Sequence, residues 1–385
     1  MSASPFTPEA LAPYLAAVHG RPVADVRVSP LGALAQGDKG YGYGIPLRVS
    51  YTLDGAARTL VLETVRPGPF GHEHMADRAQ LLLWAHRAFG HLPRHVASLD
   101  VGAVRNDGAL VPLGSSEEFF IVTQFVEGRE YAADFPRLRE GAPLREVDLA
   151  RADALCDYLA EIHRVPGPDA GLYVRRIREL LGHGECIFGI ADSYPERCGF
   201  VTAELLQEVE RRCLAWRWKL KTRSHRLRQV HGDFHPWNIL FREGADFTVL
   251  DRSRGEWGDP ADDVACLTLN YLFFSLQRSC RLEGAFETLF RRFWERYLER
   301  SGDREMLEVI APFYAFRALV IANPVWYPNL DEALRRRIFD FTLAVLDAAR
   351  FDPARVNAYA QTLVVNEQYQ LQYRLANLER TQCNL

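Results

Sequence analysis

The chain has 385 residues, 48% hydrophobic and 25% charged, with a formal net charge of −4. That balance fits a globular chain long enough for two or three domains and leaves no basic footprint for nucleic acid. No apolar run approaches the roughly 18 residues of a membrane helix, and Met1–Thr7 lacks the basic and apolar stretches of a signal peptide.

Taken in chain order, Thr7 and Pro8 read as the N-cap and first position of a helix over residues 7–19. Strands follow at Val26–Val28 and, beyond a glycine-rich stretch from Gly32 to Gly44, at Leu47–Tyr51 and Thr59–Val65. The last two flank Asp54-Gly55, a strong hairpin signal. A helix over about 74–90 and strands near 96–104 and 119–126 complete a small antiparallel lobe carrying one helix. Beyond Gly128 the pattern becomes helical. Leu149, Ala152, Leu155, Leu159 and Ile162 mark a core-facing stripe, and a further helix is expected over 201–222. From Val264 onward the chain reads as helices interrupted by Pro312, Pro324, Pro328 and Pro353, and the polar tail after Asn366 as a surface helix or a partly disordered segment. The expected division is 1–127 and 128–385.

Seven scattered cysteines without a C-x-x-C pair read as reduced thiols, which points to the cytoplasm.

The most informative stretch is His231-Gly232-Asp233-Phe234-His235-Pro236-Trp237-Asn238, followed by Ile239–Phe241, a Gly244 turn and Phe247–Asp251. It reads as a loop running into a tight hairpin. An antiparallel hairpin returns its second strand to where the first began, so Asn238 and Asp251 are expected side by side. A carboxamide oxygen beside a carboxylate suits Mg²⁺ that keeps waters and holds phosphates. Asp233, on the same loop, is then free to orient a hydroxyl nucleophile.

These residues, together with Gly258-Asp259-Pro260-Ala261-Asp262-Asp263-Val264-Ala265, resemble the aminoglycoside phosphotransferase and choline kinase superfamily, whose pattern is H-G-D-x-H-x-x-N, a short hairpin, D, then G-D-P-x-x-D-x-A. Phe120–Gly128 resembles that family's adenine-holding strand and hinge, and Tyr158–His163 the end of its long helix under the active site. The resemblance implies an α+β, two-lobed protein-kinase-like fold with a small antiparallel-sheet N-lobe and a larger, mostly helical C-lobe. It implies ATP and Mg²⁺ as cofactors, Asp233 as catalytic base, and Asn238 and Asp251 as metal ligands. Nucleotide would lie near residues 30–66 and 120–131, with Gln124, Phe125 and Val126 in the hinge. Asp263 would brace the catalytic loop, with structural support from His231. His235 is read either as support or as a group near the transferred phosphoryl. The implied activity is transfer of the γ-phosphoryl group of ATP to a small-molecule hydroxyl, with no nucleic-acid or membrane partner.

The sequence departs from the family at one place. Its only lysines are Lys39, Lys219 and Lys221, so the strand Thr59–Val65 lacks the usual phosphate-binding lysine and Glu63 or Thr64 stands there. Glu73 and Asp77 are candidates for the lysine's helical partner. Either Lys39 reaches the phosphates from the glycine-rich loop, helped by Arg48 or Arg66, or it is an exposed turn residue. The alternative to an enzyme is therefore a pseudokinase, a nucleotide-binding or regulatory module. A metal-dependent hydrolase using His231, Asp233 and His235, with His72 and His74 in reserve, is a third reading, opposed by the lack of histidine after residue 235. Gly32–Gly40 imitates a P-loop but has Asp38 before the lysine and Gly40 where Ser or Thr is needed.

Other residues receive plainer readings. Asp259 reads as a turn residue, His163 as structural, and Arg217, Lys219, Lys221, Arg223, Arg226 and Arg228 as a solvated helix face. Glu185, Tyr314 and Trp326 are considered as acceptor-pocket lining. Gly232 stands where regulated protein kinases carry arginine, and eight residues separate Asp251 from Pro260, too few for a peptide-docking activation segment. Both favour a small acceptor. From Val264 the chain holds 14 acidic and 15 basic side chains, which does not favour a polycationic aminoglycoside.

Overall fold

The computed structural model describes residues 4–31, 44 and 46–361. It separates into two compact units, Met1–Gln124 and Phe125–Leu385. The architecture is α+β, with small antiparallel sheets and a larger helical part.

The first unit opens with helix α1 (Pro8–His19), whose Thr7 N-cap accepts a hydrogen bond from the Ala10 N–H. Buried Leu11 and Leu15 face a three-stranded antiparallel sheet of β1 (Val23–Pro30), β2 (Leu47–Leu53) and β3 (Ala56–Leu62). Alternate residues Val49, Tyr51 and Leu53 fill the inner face of β2, as a period of two requires. Asp54 and Gly55 take φ of 52° and 74°, so β2 and β3 join through a two-residue turn with both centres left-handed. Helix α2 (Met75–Phe89) begins where the His74 N–H donates to the Asp77 carboxylate at 2.7 Å. Strands β4 (Gly102–Val104) and β5 (Leu110–Pro112) form a separate hairpin.

Two strand expectations are corrected. The segment near 96–104 forms a strand only over Gly102–Val104. Residues 119–126 form no strand at all, and Phe120 is 88% exposed. Its β-branched and aromatic residues have strand propensity, but that propensity is realised only against a neighbour. Among the described residues no strand pairs with this run.

The second unit carries strands β6 (Arg129–Glu130), β7 (Arg228–Gln229), β8 (Ile239–Phe241), β9 (Phe247–Val249) and β10 (Trp257–Gly258). Its helices before residue 231 are α3 (Phe135–Arg139), α4 (Glu146–Ile162), α5 (Ala170–Gly182), α6 (Ile187–Asp192) and α7 (Ala203–Leu220). Those after it are α8 (Pro260–Leu276), α9 (Gly284–Ser301), α10 (Met306–Val309), α11 (Ala311–Ala322), α12 (Glu332–Asp347) and α13 (Val356–Ala360). Helix α8 lies at the centre, with every residue buried, and α9 and α11 pack on it. A helix apolar on all sides is stable only inside such a core.

Asp259, expected in a turn, caps α8 by accepting from the Ala261 N–H at 3.0 Å. Its carboxylate also takes a two-pronged bond from Arg226, at 2.9 and 2.8 Å, and the Tyr173 hydroxyl at 2.8 Å. Arg226 is therefore buried rather than part of a solvated face. Charge without a partner is too costly inside a core, and Asp259 with Asp303 supplies the partners. Tyr314 is likewise a core residue, bonded to the Thr268 hydroxyl at 2.7 Å. Among the described residues no helix is long and apolar enough to cross a membrane.

Candidate functional site

Two pairings fix the ends of the loop that holds Asp233. Strands β7 and β10 pair antiparallel, and the Val230 N–H donates to the Glu256 carbonyl at 3.0 Å. The Arg252 guanidinium closes the same gap with two bonds to the Val230 carbonyl, at 3.0 and 2.8 Å. Gly232 then takes φ 86°, and a Cβ there would sit 3.4 Å from the Arg254 Cβ. The positive φ is what makes glycine the fitting residue at this position.

Asp263, in the first turn of α8 and 0% exposed, ties the loop from below. Its carboxylate accepts from the His231 N–H at 2.8 Å, the Gly232 N–H at 2.7 Å and His163 Nε2 at 3.1 Å. An ionised carboxylate only accepts, so His163 donates to it through Nε2, and its Nδ1 shares a hydrogen bond with the Tyr297 hydroxyl at 2.8 Å. Burial pushes the Asp263 carboxyl up, but the bond and charge of His163, with His231, hold it below its usual value.

The hairpin brings Asn238 and Asp251 to one end. Strand β8 lies between β6 and β9, and beyond the Ile239–Val249 pair the Leu250 N–H donates to the Asn238 carbonyl at 2.8 Å. Asn238 Nδ2 donates to the Asp233 carbonyl at 3.1 Å, so the carboxamide nitrogen is committed and its oxygen is left to serve as a ligand. Asp251 is exposed, takes φ 55° and, among the described residues, bonds only through Oδ1, which accepts from the Ser253 N–H at 3.2 Å. One amide oxygen and one carboxylate form a hard-oxygen donor set that fits Mg²⁺.

Asp233 itself is 9% exposed and meets a residue that the sequence reading missed. Arg317, on α11 and 6% exposed, donates through one terminal nitrogen to Asp233 Oδ1. The other terminal nitrogen donates to the Gly232 carbonyl at 2.8 Å and to Asp262 Oδ1 at 2.7 Å. Burial raises the Asp233 carboxyl, but Arg317, Arg254 and His235 outweigh it and hold the group below its usual value. His235 is itself pushed down by burial, against the pull of Asp233.

The histidines are committed to the loop backbone. His231 Nδ1 accepts from the Asp233 N–H at 3.3 Å, and His235 Nδ1 from the Trp237 N–H at 3.2 Å. Among the described residues no three His, Cys, Asp or Glu side chains converge on one metal position.

Lys39 lies outside the described residues. Gln124 ends the first unit, and Phe125 and Val126 begin the second. Strand β3 carries no lysine, and Glu63 follows its end as an exposed side chain. Lys219 and Lys221 lie over the Trp216 and Trp218 rings at 4.3 and 3.5 Å, at the end of α7. Trp326 is exposed, and the Glu185 carboxylate lies 4.0 Å from Arg254. A signal for Arg317 was present: it is the lone charge in the apolar run Ala311–Ala322, and a charge buried by its helix must have a partner.

The sequence profile described as the phosphotransferase enzyme family matches residues 44–306, more than half of the chain. No curated protein sequence matches it. Among solved structures, a choline kinase from Cryptosporidium parvum shares 10% identity over 92% of this chain and 91% of that one, with a TM-score of 0.32. An amicoumacin kinase in complex with AMP-PNP and Ca²⁺ shares 13% identity over 91% and 98%, with a TM-score of 0.39. A glucosamine kinase in complex with glucosamine, ADP and inorganic phosphate shares 16% over 96% and 88%, with a TM-score of 0.37.

Proposed function

The chain belongs to the phosphotransferase enzyme family, and from that premise we propose that it transfers the γ-phosphoryl group of ATP to a hydroxyl of a small molecule. The observation that carries the reading is the convergence of Asp233, Asn238 and Asp251 on one loop and hairpin end.

Asp233 is the base. Its Oδ1 is held by Arg317, and His235 Nε2 stands 3.7 Å from Oδ2, beyond hydrogen-bond length. Oδ2 is thus the atom that receives the acceptor hydroxyl. As the acceptor oxygen bonds to the γ-phosphorus, the bond from that phosphorus to the β,γ-bridging oxygen breaks, ADP leaves, and the hydroxyl proton passes to Oδ2. Asp263 and Arg317 fix the loop from two sides, so the carboxylate is placed before substrate arrives. Mg²⁺ held by Asn238 and Asp251 would neutralise charge on the phosphate oxygens. Few residues are needed, because phosphoryl transfer depends mainly on positioning and charge. The six described cysteines are free thiols, which supports a cytoplasmic setting.

The test is a metabolite library incubated with γ-labelled MgATP and the protein. Label should enter a small-molecule product, and Asp233→Asn should lower that turnover by about 10²–10⁴-fold while MgATP affinity stays within a few-fold. Unchanged turnover removes Asp233 from the mechanism. The missing lysine on β3 favours one second reading, a nucleotide-binding module without turnover. That module shows thermal stabilisation by MgATP, about 2.7 kcal/mol at 100 times Kd, and no labelled product with any acceptor.

A further inference from the structure

The arginines around Asp233 are not equivalent. Arg317 is saturated by Asp233, Asp262 and the Gly232 carbonyl. Arg176 donates to the Arg254 carbonyl at 2.7 Å and lies 3.6 Å from Asp262 and 3.7 Å from Glu179. Arg254 is different. Its side chain is only 17% exposed, yet its guanidinium reaches the Glu185 carboxylate only at 4.0 Å, and that carboxylate is mostly in solvent. Its one hydrogen bond goes to the Cys186 thiol at 3.8 Å, a weak acceptor. Among the described residues, no oxygen accepts a hydrogen bond from it. A cation so largely withdrawn from water, with most of its N–H groups unmet, is a poor structural element and a ready anion receptor.

Its placement gives it a use. Arg254 and Arg317 both rest on the ring of Phe316, at 5.1 and 4.5 Å, and Arg317 holds Asp233. The Arg254 Cβ lies beside Gly232, the residue before the base, 3.4 Å from the place a Cβ there would take. Its side-chain neighbours come from the α5–α6 connection and from α11, not from the hairpin end that carries Asn238 and Asp251.

We propose that the acceptor carries an anionic group, a carboxylate or a phosphate ester, and that Arg254 binds this group while Asp233 receives the hydroxyl. The proposal rests on the phosphotransferase reading of the same site and adds the substrate class. The planar fork of arginine matches either anion with two parallel bonds.

The experiment uses matched acceptors that differ only in charge: hydroxy acids against their amides, and sugar phosphates against the free sugars. Each is assayed with MgATP for turnover and, separately, for thermal stabilisation of the protein without nucleotide. Anionic members of one or both series should exceed their neutral partners by on the order of ten- to a hundredfold in kcat/KM. Arg254→Gln should erase that preference through KM, and Arg254→Lys should restore part of it. The hydroxy-acid and sugar-phosphate arms identify which anion is meant. Charge-blind or cation-preferring turnover overturns the proposal and leaves the phosphotransferase reading standing. Equal loss of kcat for charged and neutral acceptors in Arg254→Gln also overturns it, because Arg254 would then serve the transferred phosphoryl group. Arg254-dependent stabilisation by the anions without any turnover supports the anion site and overturns the enzymatic reading. No turnover and no stabilisation by any anionic member overturns the anion site.

Discussion

Replacing Arg317 by methionine tests the charge arrangement behind Asp233. The substitution keeps most of the volume, so its cost is electrostatic rather than a cavity. It leaves the Asp233 and Asp262 carboxylates and the Gly232 carbonyl without their shared donor. Removing one partner of a buried ion pair costs about 3–5 kcal/mol. At about 2–4 °C per kcal/mol for a domain of this order of size, the melting temperature should fall by roughly 6–20 °C. The pH dependence has a definite sign. In the wild type the Asp233 carboxyl is held below its usual value, so its contribution is complete above the unfolded pKa of about 3.9 and is lost as pH falls through the lower folded value. In Arg317→Met, burial without the arginine shifts the Asp233 carboxyl upward. The penalty is then full at neutral pH and is relieved as Asp233 protonates. Unfolding followed by tryptophan fluorescence at pH 7.5 and pH 5 should show a stability difference that narrows at the lower pH. A loss below about 1 kcal/mol, or one that does not change with pH, refutes the reasoning, since exposed pairs are worth no more than that.

Asp251→Ala should weaken the response to Mg²⁺ more than the response to free ATP, and a Mg²⁺ titration of turnover gives the shift in half-saturation. Gly232→Ala forces a side chain into φ 86° beside the Arg254 Cβ and should cost about 1–2 kcal/mol in denaturant melts. Acid unfolding should steepen below about pH 4, because Asp233 and Asp263 are both held below the ordinary carboxylate range and must take up protons as the chain opens. A stability profile flat from pH 5 to pH 3 contradicts that ionisation state.

What was legible in the sequence was local. The Thr7 cap, the Asp54-Gly55 turn and the hairpin after Asn238 are written in short patterns, and each appears with its expected partners. Asn238 and Asp251 come together because antiparallel pairing leaves no other outcome. The misses are of two kinds. Arg317 meets Asp233 from 84 residues away, and Arg226 meets Asp259 across 33, so only tertiary packing determines those pairings. Residues 119–126 have strand propensity but no strand partner among the described residues, and propensity alone does not form a sheet. Lys39, on which the phosphate question turned, lies outside the described residues.

The central claim is that Asp233, Asn238 and Asp251 form one divalent-metal phosphoryl-transfer centre. The most direct measurement is a crystal soaked with AMP-PNP and Mn²⁺, with data collected at the manganese edge. The account predicts an anomalous peak bridging the Asn238 amide oxygen and the Asp251 carboxylate, with the γ-phosphate facing Asp233 Oδ2. Bound nucleotide with its ion elsewhere, and those two side chains turned apart, contradicts it.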